Sequence, residues 1–209
     1  MIMEKKNQAI INSLNQRASS MLSFDYLVEV NTVPEEAEEF LRDAMSNRKS
    51  VIIGASPNAA GKTTVMGALL GIRPQTEKLL VLEGNRDQDF EKVKTIPKNQ
   101  KHCVIAHEIG SGSWYGYIWG RSVKRYLQLP QQHPKCALAS NLHCDTFEEV
   151  YSLFQGFGIT DVEIRQIDLF IFLKMEYREG IHRFINTIWE KTSSQEYLAT
   201  KQTHKRLHF

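Results

Sequence analysis

The fold is decided by the stretch VIIGASPNAAGKTT at residues 51–64. It begins with three large apolar residues followed by Gly54, and a short apolar run of this kind predicts a strand buried on both faces. Residues 56–63 match the pattern GxxxxGK[ST] at every fixed position except the first, where Ser56 replaces glycine. A helix is expected to follow from Gly61. Strand, loop and helix in this order predict that backbone N–H groups and a helix N-terminus bind phosphate.

Each polar group of this loop has an expected task. The Lys62 ammonium would reach the β- and γ-phosphates, and the Thr63 hydroxyl would hold Mg²⁺. The side chains of Ser56 and Ala59 stand where such loops often have glycine, so the approach of the phosphates is expected to be slightly altered. The alternative is a Gly-Lys-Thr-Thr helix start that binds nothing. The predicted nucleotide-binding residues of the loop are Ser56, Pro57, Asn58, Ala59, Ala60, Gly61, Lys62, Thr63 and Thr64.

The rest of the chain repeats the alternation of strand and helix. Short apolar runs at residues 79–82, 103–106, 136–139 and 169–173 predict buried strands, with helices or loops between them. This order is typical of βαβ units and a mostly parallel sheet. A turn at 176–180 and alternation at 183–189 predict an antiparallel hairpin at the C-terminal side. We expect an N-terminal extension (1–31), one nucleotide-binding domain (32–190) and a basic polar tail (191–209), solvated or forming a short helix.

Composition excludes several classes of protein. The chain has 209 residues, of which 42% are hydrophobic and 24% charged, as in ordinary globular proteins. A formal net charge of +2 gives no reason to expect direct nucleic-acid binding. Three cysteines without a CxxC pair do not indicate a disulfide scaffold, and no apolar run approaches the roughly 20 residues that span a bilayer. We therefore expect a cytoplasmic protein that reaches a membrane only through partners.

Polar residues at the ends of the predicted strands are the other candidate site residues. Ligands bind at the carboxyl edge of open parallel sheets, where Glu83, Glu108 and His143 are expected. Glu108 would hold the attacking water, accept its proton or bind the Mg²⁺ shell. His143 would donate to the γ-phosphate or simply cover the sheet edge. Glu83 would order water or magnesium, or would be solvated.

These residues together resemble the secretion ATPase superfamily, the motors of type IV pili, type II secretion and conjugation-type type IV secretion. The resemblance covers roughly residues 33–190. Residues 80–87 are similar to the family's acidic box, His107-Glu108 stands where its Walker B strand ends in Gly-Glu, and residues 140–143 are similar to its histidine box. Residues 147–157 and 164–169 are similar to the segments that follow.

The resemblance implies an α/β P-loop NTPase with a RecA-like core that binds ATP and Mg²⁺. It implies that Lys62, Glu108 and His143 are catalytic, that Thr63 and Glu108 hold the metal, and that Glu83 lines the site. It also implies ATP hydrolysis, a hexameric ring, and membrane-associated secretion or pilus proteins as partners at the inner face of the membrane. The N-terminal domain of the family is nearly absent from the chain.

A second alignment remains open. It matches residues 107–110 to the strand before an arginine-bearing helix and puts Asn141 at the Walker B acid position, which leaves hydrolysis weak or absent. The alternative function is a nucleotide-binding regulatory or scaffold module without turnover. A small-molecule or nucleotide kinase is a further alternative, but its arginine-rich lid would have to come from residues 121–125 or the tail.

Three other groups of residues carry two interpretations each. Aromatic residues among glycines would form a loop near the nucleotide or a subunit contact, or would pack on the sheet; these are Trp114, Tyr115, Tyr117 and Trp119. The basic side chains Arg121, Lys124 and Arg125 would complete a phosphate site or form a solvated helix face. His133, Cys136, His143 and Cys144 fit no standard zinc spacing, so Mg²⁺ is the only metal expected.

Overall fold

The structure, a computed structural model, describes residues 2–15, 20–56, 59–112, 116–177, 179–194 and 196–202, with the backbone alone for residues 2 and 200–202. Pro57, Asn58, Trp114 and Tyr115 therefore lie outside the described residues. The helices of the described part are α1 (Ile2–Leu14), α2 (Phe24–Glu29), α3 (Glu35–Ser46), α4 (Lys62–Gly71), α5 (Asp87–Lys94), α6 (Arg121–Leu127), α7 (Leu129–Gln132), α8 (Phe147–Gly156) and α9 (Asp161–Ile164). The strands are β1 (Val51–Gly54), β2 (Lys78–Leu82), β3 (His102–Ile109), β4 (Tyr117–Ile118), β5 (Cys136–Leu142), β6 (Leu169–Tyr177), β7 (Ile181–Lys191) and β8 (Tyr197–Gln202).

One sheet organises these elements, in the order β2-β3-β5-β1-β6-β7-β8, with β4 paired to the end of β3. The strands from β2 to β6 are parallel, and β7 and β8 add antiparallel strands at one edge. The predicted mostly parallel sheet with a C-terminal hairpin is thus confirmed. None of the helices described is long and apolar enough to cross a membrane.

Helices cover both faces of this sheet, because the central strands are apolar on both sides. Ile53 of β1 belongs to the core that includes side chains of α1 to α4. Ile52 belongs to the opposite core, which includes side chains of α5 to α9. The two neighbouring isoleucines are fully buried on opposite faces, so β1 is the middle of a three-layer arrangement.

Two predicted strand ends were wrong. The strand expected at 103–106 runs to Ile109, and the strand expected at 136–139 runs to Leu142. The reason is pairing: β4 extends the ladder beside Glu108 and Ile109, and Leu142 pairs with Gly54 of β1. Glu108 and Asn141 therefore lie inside strands, where a polar side chain is held more rigidly than in a loop.

The ends of the chain pack onto the domain. A solvated tail or short helix was the wrong prediction for Tyr197–Gln202, which form β8. The open edge of β7 offers unpaired backbone groups to this segment, and the Tyr197 ring packs 4.9 Å from that of Phe147. At the other end, α1 and α2 bury Leu14 and Phe24 in the core.

Gly54 ends β1 at a point where there is no room for a side chain. A Cβ atom there would lie 2.6 Å from the Cys144 carbonyl oxygen and 2.7 Å from the Phe172 ring. Both neighbours belong to the packed core around the strand. Glycine is therefore required for the chain to leave the sheet and enter the phosphate loop.

Gly54→Ala is expected to lower the free energy of unfolding by about 1–3 kcal/mol, because the new methyl group displaces backbone and a buried ring. Urea denaturation of the purified protein measures this. Gly71→Ala is the matched control: nothing lies within 4 Å of its Cβ position at the end of α4. That variant should be as stable as the parent or slightly more so. Equal effects of the two substitutions would contradict the steric argument.

His102 is a buried imidazole at the start of β3. Its Nδ1 lies 2.9 Å from the Gln100 carbonyl oxygen, and its ring meets that of buried His133 edge-on at 5.8 Å. Burial lowers the pKa of His102, and the nearby His133 lowers it further. The unfolded chain therefore takes up a proton at higher pH than the folded chain does.

This shift predicts that stability is complete above the ordinary histidine pKa and falls as the pH drops through about 6.5. Replacing His102 by leucine should flatten the fall in unfolding free energy between about pH 8 and pH 5.5. Urea denaturation at several pH values measures the slope. The slope will not vanish, since burial also lowers the pKa of His107. Identical slopes in parent and variant would show that His102 does not contribute.

Candidate functional site

The loop between β1 and α4 has an unusual backbone. Ala59 has a φ of 64° and Gly61, the N-cap of α4, a φ of 94°, so both lie in the left-handed region. As a glycine, Gly61 has no side chain that could cap the helix. The first N–H groups of a helix have no partner inside it, and their partial positive charge favours an anion. The described part of the loop thus has the backbone features of a phosphate-binding turn.

Lys62, the first residue of α4, directs its ammonium group into the site. Its Nζ donates a hydrogen bond of 2.9 Å to the Ala55 carbonyl oxygen and lies 3.2 Å from His143 Nδ1. The residue is only 8% exposed. Burial lowers its pKa, while the charges of Glu108 and Asp145 oppose that shift. A partly desolvated ammonium group of this kind binds an anion more strongly than one in water.

Glu108 lies between two side chains. Its Oε1 is 2.8 Å from His143 Nε2 but has no hydrogen-bond partner among the described residues, and the Tyr117 hydroxyl is a donor to the carboxylate group. Burial and the Glu108 charge together raise the pKa of Tyr117 to about 12. Tyr117 also stacks on His107, with ring centroids 6.4 Å apart. The carboxylate is thus oriented and almost wholly removed from solvent, at 5% exposure.

His143 links the lysine to the carboxylate. Its Nε2 lies within ion-pair distance of the Glu108 carboxylate, without a hydrogen bond to Oε1, and its Nδ1 can accept from Lys62. Nδ1 also lies 3.1 Å from the Ser56 carbonyl oxygen, a contact that requires a proton on Nδ1 instead. The imidazole therefore contacts the loop and Lys62 through Nδ1 and the carboxylate of β3 through Nε2.

Asn141 lies at the other end of the site, beside the predicted metal-binding hydroxyl. Its Nδ2 donates to the His107 carbonyl oxygen at 2.9 Å and to Thr63 Oγ1 at 3.3 Å. Its Oδ1 is buried and has no hydrogen-bond partner among the described residues. The structure thus brings both residues of the two sequence alignments to one site: Asn141 next to Thr63, and Glu108 next to His143.

The side chains around Thr63 fit a hard divalent cation. A hydroxyl oxygen and an unpartnered amide oxygen are among the donor types that Mg²⁺ accepts, and Mg²⁺ takes its other ligands from water and phosphate. Within the described ranges, no group of three histidine, cysteine, aspartate or glutamate side chains is arranged to hold a metal. Burial raises the pKa of Cys144 to about 12, so its thiol stays protonated.

Other predicted residues lie apart from this centre. Glu83 is exposed and forms an ion pair with Arg86, and no described contact joins it to Lys62 or Thr63. Arg125 pairs with Asp87 and stacks on a ring of α5, and Lys124 contacts the Gly158 carbonyl oxygen. These two basic side chains are engaged in the helical layer, as expected for a solvated helix face.

Two contacts of the site had no clear signal in the sequence. Tyr117 was grouped with the neighbouring aromatics, but only the pairing of β4 with β3 places its hydroxyl at Glu108. Arg183, on β7, donates from Nε to the Ala59 carbonyl oxygen at 2.7 Å. The two partners are 124 residues apart, so no local pattern predicts the contact.

Solved structures share this architecture. The VirB11 ATPase from the Brucella suis type IV secretion system, in complex with sulphate, matches with a TM-score of 0.54 and 13% identity, over 91% of this chain and 58% of that one. The Legionella pneumophila ATPase DotB matches with a TM-score of 0.55 and 10% identity, over 84% of this chain and 54% of that one. The chain has the fold of the secretion ATPases.

The resemblance predicted from the sequence is thereby confirmed at the level of the fold. The chain spans little more than half the length of these two ATPases. No family model and no curated protein sequence matches it. The shared fold accounts for where the strand ends lie. The chemistry of the site depends on the side-chain contacts described above.

A second buried cation gives a useful contrast with Lys62. Arg73 is paired twice with Glu77, at 2.6 and 3.1 Å, and donates to the Lys49 carbonyl oxygen. Arg48 also pairs with Glu77, whose side chain is fully buried. Arg73 thus neutralises a buried carboxylate. The described contacts of Lys62 are with a neutral carbonyl and an imidazole.

Lys62→Met is expected to change the free energy of unfolding by no more than about 1 kcal/mol, since it removes a desolvated charge that is not directly paired. Arg73→Met should lower the free energy of unfolding by about 3 kcal/mol or more, because it removes one of the two cations that pair with buried Glu77. Urea denaturation without added ligand measures both. A loss for Lys62→Met as large as that for Arg73→Met would assign Lys62 a structural task.

Proposed function

We propose that the chain binds ATP with Mg²⁺ and hydrolyses the bond between the β- and γ-phosphates. The observation that carries this proposal is the meeting of three elements at one imidazole ring. His143 lies 3.2 Å from the Lys62 ammonium of the phosphate loop and 2.8 Å from the Glu108 carboxylate of β3. A cation for phosphate and a desolvated base for water, held side by side, are what phosphoryl transfer to water requires.

Each residue then has a step. Lys62 exchanges its contact with the Ala55 carbonyl oxygen for the phosphate oxygens, and the loop N–H groups bind the same anion. Thr63, Asn141 and Glu108 would hold Mg²⁺, which when bound would neutralise charge on the phosphates. Glu108 accepts a proton from the attacking water, while His143 and Tyr117 fix the orientation of its carboxylate. Burial around Glu108 excludes competing water.

The setting of this activity is proposed from the fold. The structural neighbour from Brucella suis is an ATPase of a type IV secretion system. We propose that this chain serves a secretion, pilus or conjugation-type system from the cytoplasmic side, with membrane-associated proteins as partners. A hexameric ring belongs to the same proposal, as does a place for exposed Glu83 at the edge of the nucleotide site.

One observation favours a second function, nucleotide binding without turnover. The residue beside Thr63 is an amide, Asn141, where a carboxylate would hold the metal more firmly. A regulatory or scaffold module could use such a site to bind nucleotide and change its contacts. The two proposals share the binding step and differ only in the task of Glu108.

Glu108→Gln separates them. For an ATPase, phosphate release with Mg²⁺-ATP should fall by about 100-fold or more, because the amide cannot accept the proton, while ATP binding is retained. Glu91→Gln is the matched control, since Glu91 is exposed on α5 and pairs with Lys94. It should leave the rate unchanged. Equal, negligible release by parent and Glu108→Gln, with binding retained, supports the module without turnover; absence of binding to the parent contradicts both.

A further inference from the structure

The phosphate loop contains a residue in a conformation that it does not favour. Ala59 has a φ of 64°, in the left-handed region where a Cβ atom is crowded by the backbone. Glycine occupies this region readily, but alanine does so only when surrounding contacts impose it. Some part of the structure must therefore hold the loop at Ala59.

Arg183 makes the contact that can do this. Its Nε donates a 2.7 Å hydrogen bond to the Ala59 carbonyl oxygen. Its Cδ lies 3.5 Å from the position that a Cβ atom would occupy on Gly61, so its stem packs along the loop. Carbonyl and stem contacts together fix the loop on both sides of Ala60.

β7, the strand that carries Arg183, belongs to the same sheet as β1, the strand that leads into the loop. Arg183 pairs with Met175 of β6 across the hairpin, and β6 pairs in parallel with β1. Loop and arginine are therefore attached to strands of one sheet, β1 and β7, with β6 between them. A hydrogen bond between them restricts the loop, because neither end can drift freely.

The guanidinium group of Arg183 also brings a positive charge to the loop. Among the described residues no carboxylate lies within ion-pair distance of its guanidinium group, although the hairpin contains Glu176, which pairs with Lys174 at 3.7 Å. A cation that remains unneutralised beside an anion-binding loop strengthens the positive potential there. The guanidinium group is thus suited to support the loop both by its hydrogen bond and by its field.

We propose that Arg183 is a positioning residue that holds the phosphate loop in its anion-binding conformation through the Ala59 carbonyl. This proposal rests on the proposed nucleotide-binding function. The C-terminal hairpin then contributes to the site, because its Arg183 holds Ala59 at a positive φ. A glycine at position 59 would adopt this φ with less support. Arg183 acts on the nucleotide through the loop, so its removal should weaken binding more than it changes the chemical step.

The test compares dissociation constants for Mg²⁺-ATP by calorimetry, in a Glu108→Gln background that prevents turnover. Arg183→Ala should weaken binding by about five- to tenfold, the value of a lost hydrogen bond. In an Ala59→Gly chain the same substitution should cost clearly less, because glycine favours the required φ. Lys174→Ala is the control: it removes an exposed positive charge from the same hairpin and should leave the affinity unchanged.

Three outcomes of the binding series would overturn the proposal. The first is an unchanged affinity in Arg183→Ala. The second is an equal loss with alanine and with glycine at position 59, which would mean direct contact with the nucleotide. The third is an equal loss in Lys174→Ala, which would mean a general effect of charge.

A second measurement does not depend on nucleotide. Hydrogen exchange of the amides at residues 60–63 should be faster in Arg183→Ala than in the parent chain, and unchanged in Lys174→Ala. If the parent fails to bind Mg²⁺-ATP, the proposed function is wrong, and the exchange rates still decide whether Arg183 holds the loop. Equal exchange in parent and Arg183→Ala overturns the proposal.

Discussion

The structure depends on the position of β1, which has a strand paired on each side and helices over both faces. Because both of its faces are covered, β1 is apolar throughout. The chain passes from its carboxyl end into the loop. The close approach of Cys144 and Phe172 leaves room there for glycine alone. The phosphate loop must therefore begin at this point, and the site residues of β3, β5 and α4 are gathered around it because their strands run parallel to β1.

Much of this arrangement could be predicted from short patterns. Apolar runs located the parallel strands, and the loop motif located Lys62 and Thr63, because both signals depend on near neighbours in the chain. The meeting of Glu108 with His143 also followed, since parallel strand ends lie at one edge. The pattern could not show that Glu108 and Asn141 lie within their strands, because that depends on pairing with β4 and β1. The edge strand β8, the Tyr117 hydrogen bond and the Arg183 contact depend on tertiary packing in the same way.

Two kinds of buried charge occur in this fold, and they differ in the groups that they contact. Glu77, at the start of β2, is surrounded by the guanidinium groups of Arg73 and Arg48, so its burial is balanced within the protein. Lys62 and Glu108 are also buried, but they meet through the imidazole of His143 and not in a direct ion pair. The first arrangement favours a fixed structure. The second leaves charges that a ligand of opposite sign can engage, which is expected of a site that binds phosphate and moves a proton.

The pairing of β1 has a consequence for the order in which the molecule is assembled. The backbone N–H of Ser50, just before β1, donates to the side-chain carboxylate of Asp168, 118 residues later, and the loop receives the contact of Arg183 later still. On the ribosome, the motif emerges long before the strands that enclose it. Until those later strands have been made, the growing chain must carry an unpaired apolar strand and an unsupported loop. Under the proposed function, nucleotide can then stabilise the loop only after the strands that enclose it have been made, so binding would report that this part of the fold is complete.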